Sequence, residues 1–439
     1  MLTAPAALQP LRYRSFAVLW TASLISNVGT WMQTVAVGAL VISRTGQASW
    51  AVLVAAGAFL PIGLLSPVGG ALADRLPRRP VIAAGNLGAG LIAAVIAVLV
   101  ARGQASPYVL LGLVTLQGSV SAVIGPFSQA ILPDLVPRSE FLAASSLNAA
   151  QWNAGRIVGP ALAGATVAAF GFAASFVANA VSFLAVVIAL LFVRLAPPPG
   201  GHDRLLGSMR EGLRAAWAQP SCRAATISIG TIAFLAAPFI ALVPAVALSL
   251  TRGGASSVAA ATAALTTAQG AGAVAGALLL PAVAVRIGRG PTLAWSLALL
   301  PVVLVGYGAE RSLWLAVLAL FLVGLVYMGV LSGLQTVAQL HAPAAYRGRV
   351  LSFFLVALGV AYPIGALAQG PVANHIGVGW TTVAAAAVLG LIYLGVAWRF
   401  PAFVRGLLAV EAAEDDAPGG EDAPGRDEPA YQAPCAAEC

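Results

Sequence analysis

The chain has 439 residues, 60% hydrophobic and only 9% charged, with a mean hydropathy of +0.91. That apolar excess excludes a soluble globular protein and points to a polytopic membrane protein. The net charge of +8 is no nucleic-acid footprint either, because the 23 basic residues, all arginine, sit in short loops rather than on one surface. Cys222, Cys435 and Cys439 show neither metal-ligand nor disulfide spacing. No span carries a nucleophile–base pair or a metal cluster, so neither an enzyme nor a cofactor is expected.

A spanning helix needs roughly 20 mainly apolar residues. Twelve such stretches are predicted, at 16–42, 50–73, 81–101, 108–131, 142–169, 172–193, 224–250, 258–285, 291–309, 313–340, 350–376 and 380–398. Arg12 and Arg14 precede a first run too long for a cleavable signal. Along that run Ser23, Asn27, Trp31 and Thr34 recur at helical spacing. The second and third runs are joined by a short loop, so they must form a tight antiparallel hairpin. The hairpin reads Gly70-Ala-Leu-Ala-Asp74-Arg75-Leu-Pro77-Arg78-Arg79-Pro80. Asp74 has Arg75, Arg78 and Arg79 as nearby partners, and Gly70 is expected to let a neighbouring helix approach closely. A plain positive-inside loop would need only the arginines. This stretch resembles the signature loop between the second and third helices of the major facilitator superfamily, with Pro77 where that signature usually has a second glycine.

The fourth run offers Gln117, Ser121 and Ser128; Val114 stands where the superfamily's fourth-helix signature carries an arginine. The fifth contains Gly155-Arg156-Ile-Val-Gly159-Pro160-Ala-Leu-Ala163-Gly164. Gly155 and Gly159 share a helix face where another helix can pack closely. Pro160 cannot donate to the Arg156 carbonyl, so a bend and a free acceptor are predicted. The pattern is similar to the fifth-helix signature of the superfamily's antiporters, which implies a hinge or seal favouring export; an ordinary small-residue packing helix would show the same glycines. Arg156 is the lone charge placed well inside a span. It must face a cavity or a partner, since burying it alone costs at least about 2.5 kcal/mol.

After six spans comes a long connection, 195–222, opening with Pro197-Pro-Pro199-Gly-Gly201. Leu205, Leu206, Met209, Leu213 and Trp217 then fall on one face, as in a helix lying in the membrane interface or a plain linker helix. Shifting the first half by 206 residues places Gly70 on Gly276, Gly159 on Gly365, Gly164 on Gly370 and Gly171 on Gly377. This internal repeat implies two related bundles. On the tenth run Ser332, Gln335, Thr336 and Gln339 form another polar stripe. The tail from Glu411 to Cys439 holds nine acids and one arginine, with almost nothing apolar to bury, and is expected to be disordered.

Orientation follows from the arginines. With the amino terminus in the cytoplasm, seventeen arginines fall in inside segments and four outside, which puts both termini inside. The opening Leu11-Arg-Tyr-Arg14-Ser-Phe16, Ser26-Asn-Val-Gly29-Thr-Trp31 and Pro133-Asp134-Leu-Val-Pro137 narrow the resemblance to the branch of enterobactin-type siderophore exporters and macrolide efflux proteins. The resemblance covers about residues 10–400. It implies an all-α fold of twelve transmembrane helices in two pseudo-symmetric six-helix bundles, residues 1–194 and 223–400, with the linker between them and a disordered tail from 401. It also implies that the first, fourth, seventh and tenth helices line a central cavity. Asn27, Trp31, Thr34, Gln117, Ser121, Arg156, Gln335, Thr336 and Tyr362 are then the candidate substrate contacts, with Phe127 as a further aromatic wall. Gly70, Asp74, Arg75, Arg78, Arg79, Gly155, Gly159, Pro160 and Gly164 are the candidate conformational residues. The expected activity is export of a small amphiphilic molecule, siderophore- or drug-like, across the inner membrane by a monomer, with protons as the implied coupling ion. No carboxylate falls inside a span to carry them, so an uncoupled facilitator or an importer of the same fold stays open, as does a receptor or scaffold acting through the tail.

Overall fold

The computed structural model describes residues 6–193, 195, 217–342 and 347–408, and these are helical throughout, without a strand. The long helices are α1 (Arg14–Thr45), α2 (Ala48–Ala73), α3 (Arg78–Ala101), α4 (Pro107–Ala130), α5 (Phe141–Phe170) and α6 (Phe172–Leu191) in the first half. The second half has α7, split into Pro220–Leu235 and Phe239–Leu250, then α8 (Ala255–Ile287), α9 (Arg289–Ala309), α10 (Leu313–His341), α11 (Arg347–Ile376) and α12 (Val378–Arg399). Eleven of these spans are both long and apolar enough to cross a bilayer. The exception is α5, whose 30 residues include Asn148, Gln151, Asn153 and Arg156. It is packed between α1 and α8, in the middle of the molecule, where polar side chains are sheltered from lipid.

The two halves are built alike. Helix α1 packs on α5, α2 on α4, and α3 on both α4 and α6; correspondingly α7 packs on α11, α8 on α10, and α9 on both α10 and α12. The repeat seen in the sequence holds at the level of contacts. Gly171 (φ 79°) and Gly377 (φ 86°) separate α5 from α6 and α11 from α12, in a left-handed region that a side chain would strain. Gly159 lies against Val28 and Trp31 of α1, and Gly365 against Phe234 of α7. Gly164 lies against Ala263 of α8, and Gly370 against Ser49 and Val52 of α2. The halves meet along two equivalent seams, α5 on α8 and α2 on α11.

Inside the first half a polar chain runs between helices. The Gln33 amide donates to Gln117 Oε1 (2.5 Å), Asn179 donates to Gln33 Oε1 (2.8 Å), and the Ser182 hydroxyl reaches Asn179 Oδ1 (3.2 Å). In lipid such bonds replace lost water and hold α1, α4 and α6 in register, each contributing on the order of 0.6 kcal/mol. In the second half α7 breaks at Ala236-Ala237-Pro238. Pro238 has no N–H for the Phe234 carbonyl. Gln369 of α11 supplies the missing donor, bonding Phe234 O (3.1 Å) and Leu235 O (3.0 Å).

After α12 the chain continues as a further helix, α13 (Pro401–Leu408), where disorder was expected from 401. Its Leu407 is buried, with Phe403 and Leu408 packed on the same core, and it sits on α7, α9 and α12; those apolar side chains precede the acid-rich run and can pay for ordering. Residues 196–216 and 409–439, which hold the predicted interfacial helix and acidic tail, lie outside the described residues.

Candidate functional site

Between the halves lies a cavity of about 1070 Å³. Its inner end is formed by Trp31 of α1, Trp152 and Arg156 of α5, Tyr327 of α10, Tyr362 of α11, and Ala237 and Ile240 at the break in α7. From there it widens along α2 (Phe59, Ile62, Gly63, Ser66, Pro67, Gly70) and α11 (Phe353, Val356, Gly359) to a mouth at Asp74 and Arg75. The mouth is therefore at the end that carries the arginine hairpin. At the opposite end the halves are closed. The Asn374 amide donates to Ser49 Oγ (2.8 Å), the Ser49 N–H donates to Asn374 Oδ1 (3.3 Å), and Gly370 and Gly38 admit Val52 and Pro244 into close contact.

The wall is apolar and aromatic. Trp31 and Trp152 meet edge to face with ring centroids 5.9 Å apart, and Phe59 and Tyr362 do the same at 5.8 Å. The Arg156 guanidinium carbon lies 5.9 Å from the Trp31 ring centroid, a cation–π contact. Trp152 and Arg156 are four residues apart on α5 and share a face, as do Tyr327 and Leu331 on α10.

Of the nine predicted contacts the cavity takes Trp31, Arg156 and Tyr362. Asn27 packs against Gly155 in the α1–α5 contact. Gln117 is buried in the polar chain with Gln33, and Phe127 is fully buried in the core of the first half, so neither reaches the cavity. The Thr34 and Thr336 hydroxyls turn back onto the carbonyls of Thr30 and Ser332 on their own helices. Ser121 and Gln335 are also outside the lining set. Trp152, Phe59 and Tyr327 were not singled out from the sequence; the Trp152/Arg156 spacing was the available signal.

The hairpin differs from expectation in two respects. Asp74 makes no ion pair among the described residues; it is exposed at the mouth. Arg78, at the start of α3, instead turns across to Asp134 (3.1 Å) and the Ala130 carbonyl (3.0 Å), where the C-terminal end of α4 favours a cation. Arg79 reaches the Leu191 carbonyl (3.4 Å) at the end of α6. Gly70 packs on nothing and faces the cavity; its neighbour Gly69 makes the close approach, to the Val123 carbonyl of α4. One residue is about 100° of helix, which decides between the two. A second ion pair, Arg12 with Glu140, joins the opening segment to the connection before α5, reinforced by the Tyr13 hydroxyl on Glu140 Oε1 (3.1 Å). On α5, Gly155, Gly159 and Gly164 all serve helix contacts, and the helix continues through Pro160. Near the proline, the carbonyl that takes an outside partner is that of Ile157, from the Thr267 hydroxyl of α8 (3.4 Å).

The family described as transmembrane secretion effector matches residues 5–411. The multidrug efflux pump Tap of Mycobacterium tuberculosis is 28% identical over 428 residues, covering 92% of this chain and 97% of that protein. The enterobactin exporter EntS of Shigella boydii is 30% identical over 212 residues, 47% of this chain and 50% of the exporter. Several relatives are matched over about half of their own length, this exporter among them. A bacterial homologue of the human lysosomal transporter Spinster, solved inward-facing and unoccupied, shares the fold, with a TM-score of 0.68 at 18% identity over 91% of this chain and 98% of that one.

Proposed function

The chain belongs to the transmembrane secretion effector family of the major facilitator superfamily, and from that membership we propose that it exports a small amphiphilic organic molecule across the cytoplasmic membrane by alternating access. The observation that carries this reading is the aromatic cavity, open at the arginine-rich end and sealed at the other. The positive-inside rule places that open end in the cytoplasm, together with both termini. An exporter collects its cargo there. The efflux-related names of Tap and EntS agree with that direction. In this reading the bundles of residues 1–194 and 223–400 rock about the midplane, the linker 195–222 tethers them, and a monomer suffices. The hairpin residues Gly70 to Arg79 and the α5 residues Gly155, Gly159, Pro160 and Gly164 govern the exchange of conformations.

The driving force in this reading is proton antiport. A specific observation favours a second one, an uncoupled facilitator: the acids among the described residues, Asp74, Asp134, Glu140 and Glu310, all sit at helix ends or in connections. Efflux from cells lacking the gene and complemented with it, loaded with candidate siderophores and macrolides, tests the proposal. The transporter should lower retained substrate, and a protonophore should abolish that difference. Equal retention with and without the transporter would defeat export; efflux indifferent to the protonophore would select the facilitator.

A further inference from the structure

We propose that the inner end of the cavity is a binding site for an aromatic anion, its acidic group held by Arg156 and the Trp31 indole N–H and its rings lying among Trp152, Phe59, Tyr327 and Tyr362. This deepens the exporter reading by naming the chemical class of its cargo.

The argument begins with unpaired donors. Arg156 Nε and Trp31 Nε1 are both buried and both without a hydrogen-bond partner among the described residues. Guanidinium and indole nitrogens donate only; neither can turn to accept. Buried polar groups are almost always paired; of the eight buried side-chain atoms without a partner among the described residues, these two line the cavity and stand side by side, since the guanidinium packs on the Trp31 ring. No carboxylate is available to them: Arg156 enters no ion pair among the described residues, and the one acid lining the cavity is Asp74, at the mouth. The hydroxyl of Ser66, also on the wall, donates to the Ile62 carbonyl and carries no charge to offset the guanidinium. Beyond Asp74 at the mouth, the side-chain acceptors on the wall are the neutral hydroxyls of Tyr327, Tyr362 and Ser66, so the protein presents a positive charge and donors at membrane depth with no negative charge to meet them. A ligand must bring that charge.

The walls specify the remainder of the ligand. Edge-to-face pairs Trp31–Trp152 and Phe59–Tyr362 border the cavity, so a planar ring system finds faces and edges on several sides. A neutral hydrophobe would satisfy the walls and leave Arg156 uncompensated. A small hydrophilic anion would satisfy Arg156 and leave the aromatic surface wet. A ligand joining both parts satisfies both.

Anilinonaphthalene sulfonate and its uncharged parent, N-phenylnaphthylamine, differ by the sulfonate alone and make a matched pair of probes. Equilibrium binding to the purified full chain in nanodiscs is read from tryptophan quenching, against empty nanodiscs as blank. Wild-type protein should bind the sulfonate more tightly. Arg156→Gln should weaken the sulfonate about 10- to 100-fold while leaving the parent within about twofold. Arg156→Lys should restore part of the loss, since a point charge lacks the planar fork. Trp31→Phe, which keeps a ring and removes the N–H, should weaken only the sulfonate, and it decides the matter if Arg156→Gln does not fold. Equal wild-type affinity for the two probes, or parallel losses on both in these variants, overturns the proposal. Because binding is measured without transport, a failed efflux assay beside the expected binding pattern would reject the exporter and keep the site.

Discussion

Replacing Gly370 by alanine should open the sealed end. A Cβ at this position would lie 2.6 Å from Val52 Cγ2 and 3.0 Å from Ser49 Cα. Val52 is fully buried and the Ser49 contact is backbone, so neither neighbour can turn aside. Overpacking of this kind costs about 1–3 kcal/mol, and only in the conformation where α2 and α11 touch at this end. The gain of about 1 kcal/mol in helix propensity is common to both conformations and shifts nothing between them. At about 1.4 kcal/mol per tenfold, the middle of that range moves the equilibrium roughly 30-fold. A protein that opens this end about 1% of the time would then do so about a quarter of the time. Spin labels at Gln47 and Ile376, exposed on either side of the seal, report this in a background with the cysteines replaced. Electron–electron distance distributions should gain a longer component in Gly370→Ala. A distribution identical to that of the unsubstituted protein, with or without a fall in melting temperature, would refute the reasoning.

Gly69→Ala should lower the melting temperature through overpacking of about 1–3 kcal/mol against the Val123 and Ala122 carbonyls, whereas Gly70→Ala, facing open space, should leave it unlowered and gain up to about 1 kcal/mol in helix propensity; equal effects in thermal unfolding would mean the α2–α4 contact is misread. Asp74→Asn should leave thermal stability within about 0.5 kcal/mol, as an exposed carboxylate with no ion pair, while slowing efflux in the cell assay; a large loss of stability would show that it has a structural partner. Gln369→Leu should cost about 1–3 kcal/mol by stranding the Phe234 and Leu235 carbonyls, visible as a lower melting temperature and faster amide exchange around the break in α7.

Much of the fold could be read from the chain because it rests on local chemistry. Gly171 and Gly377 mark the turns into α6 and α12 because the backbone there is left-handed. The arginine hairpin separates α2 from α3 because neither charge nor Pro77 can continue a lipid-facing helix. What the chain concealed was direction. A polar stripe on a buried helix has two destinations, the cavity between the halves or the interior of its own half, and periodicity is the same for both. Gln117 took the second, paired with Gln33, while Arg156 took the first. The adjacent glycines of α2 pose the same problem at finer scale, since only packing shows which one touches α4. The contribution of α2 to the cavity wall was signalled by Gly63, Ser66, Pro67 and Gly70, spaced three and four apart, a row too small to register as either polar or aromatic.

The split in α7 has a mechanical consequence. A continuous helix is a rod, and a displacement at one end is delivered to the other. Here the piece Pro220–Leu235 packs on α10, α11 and α12 of its own half, whereas Phe239–Leu250 also touches α1 and α2 of the other half. Three residues, Ala236 to Pro238, lie between those allegiances, and the carbonyls exposed by the cut are held by Gln369 rather than by the next turn. The span is therefore a linkage with a pin in it: its outer segment can follow the opposite bundle while its inner segment stays fixed to its own, with no helical turn to break.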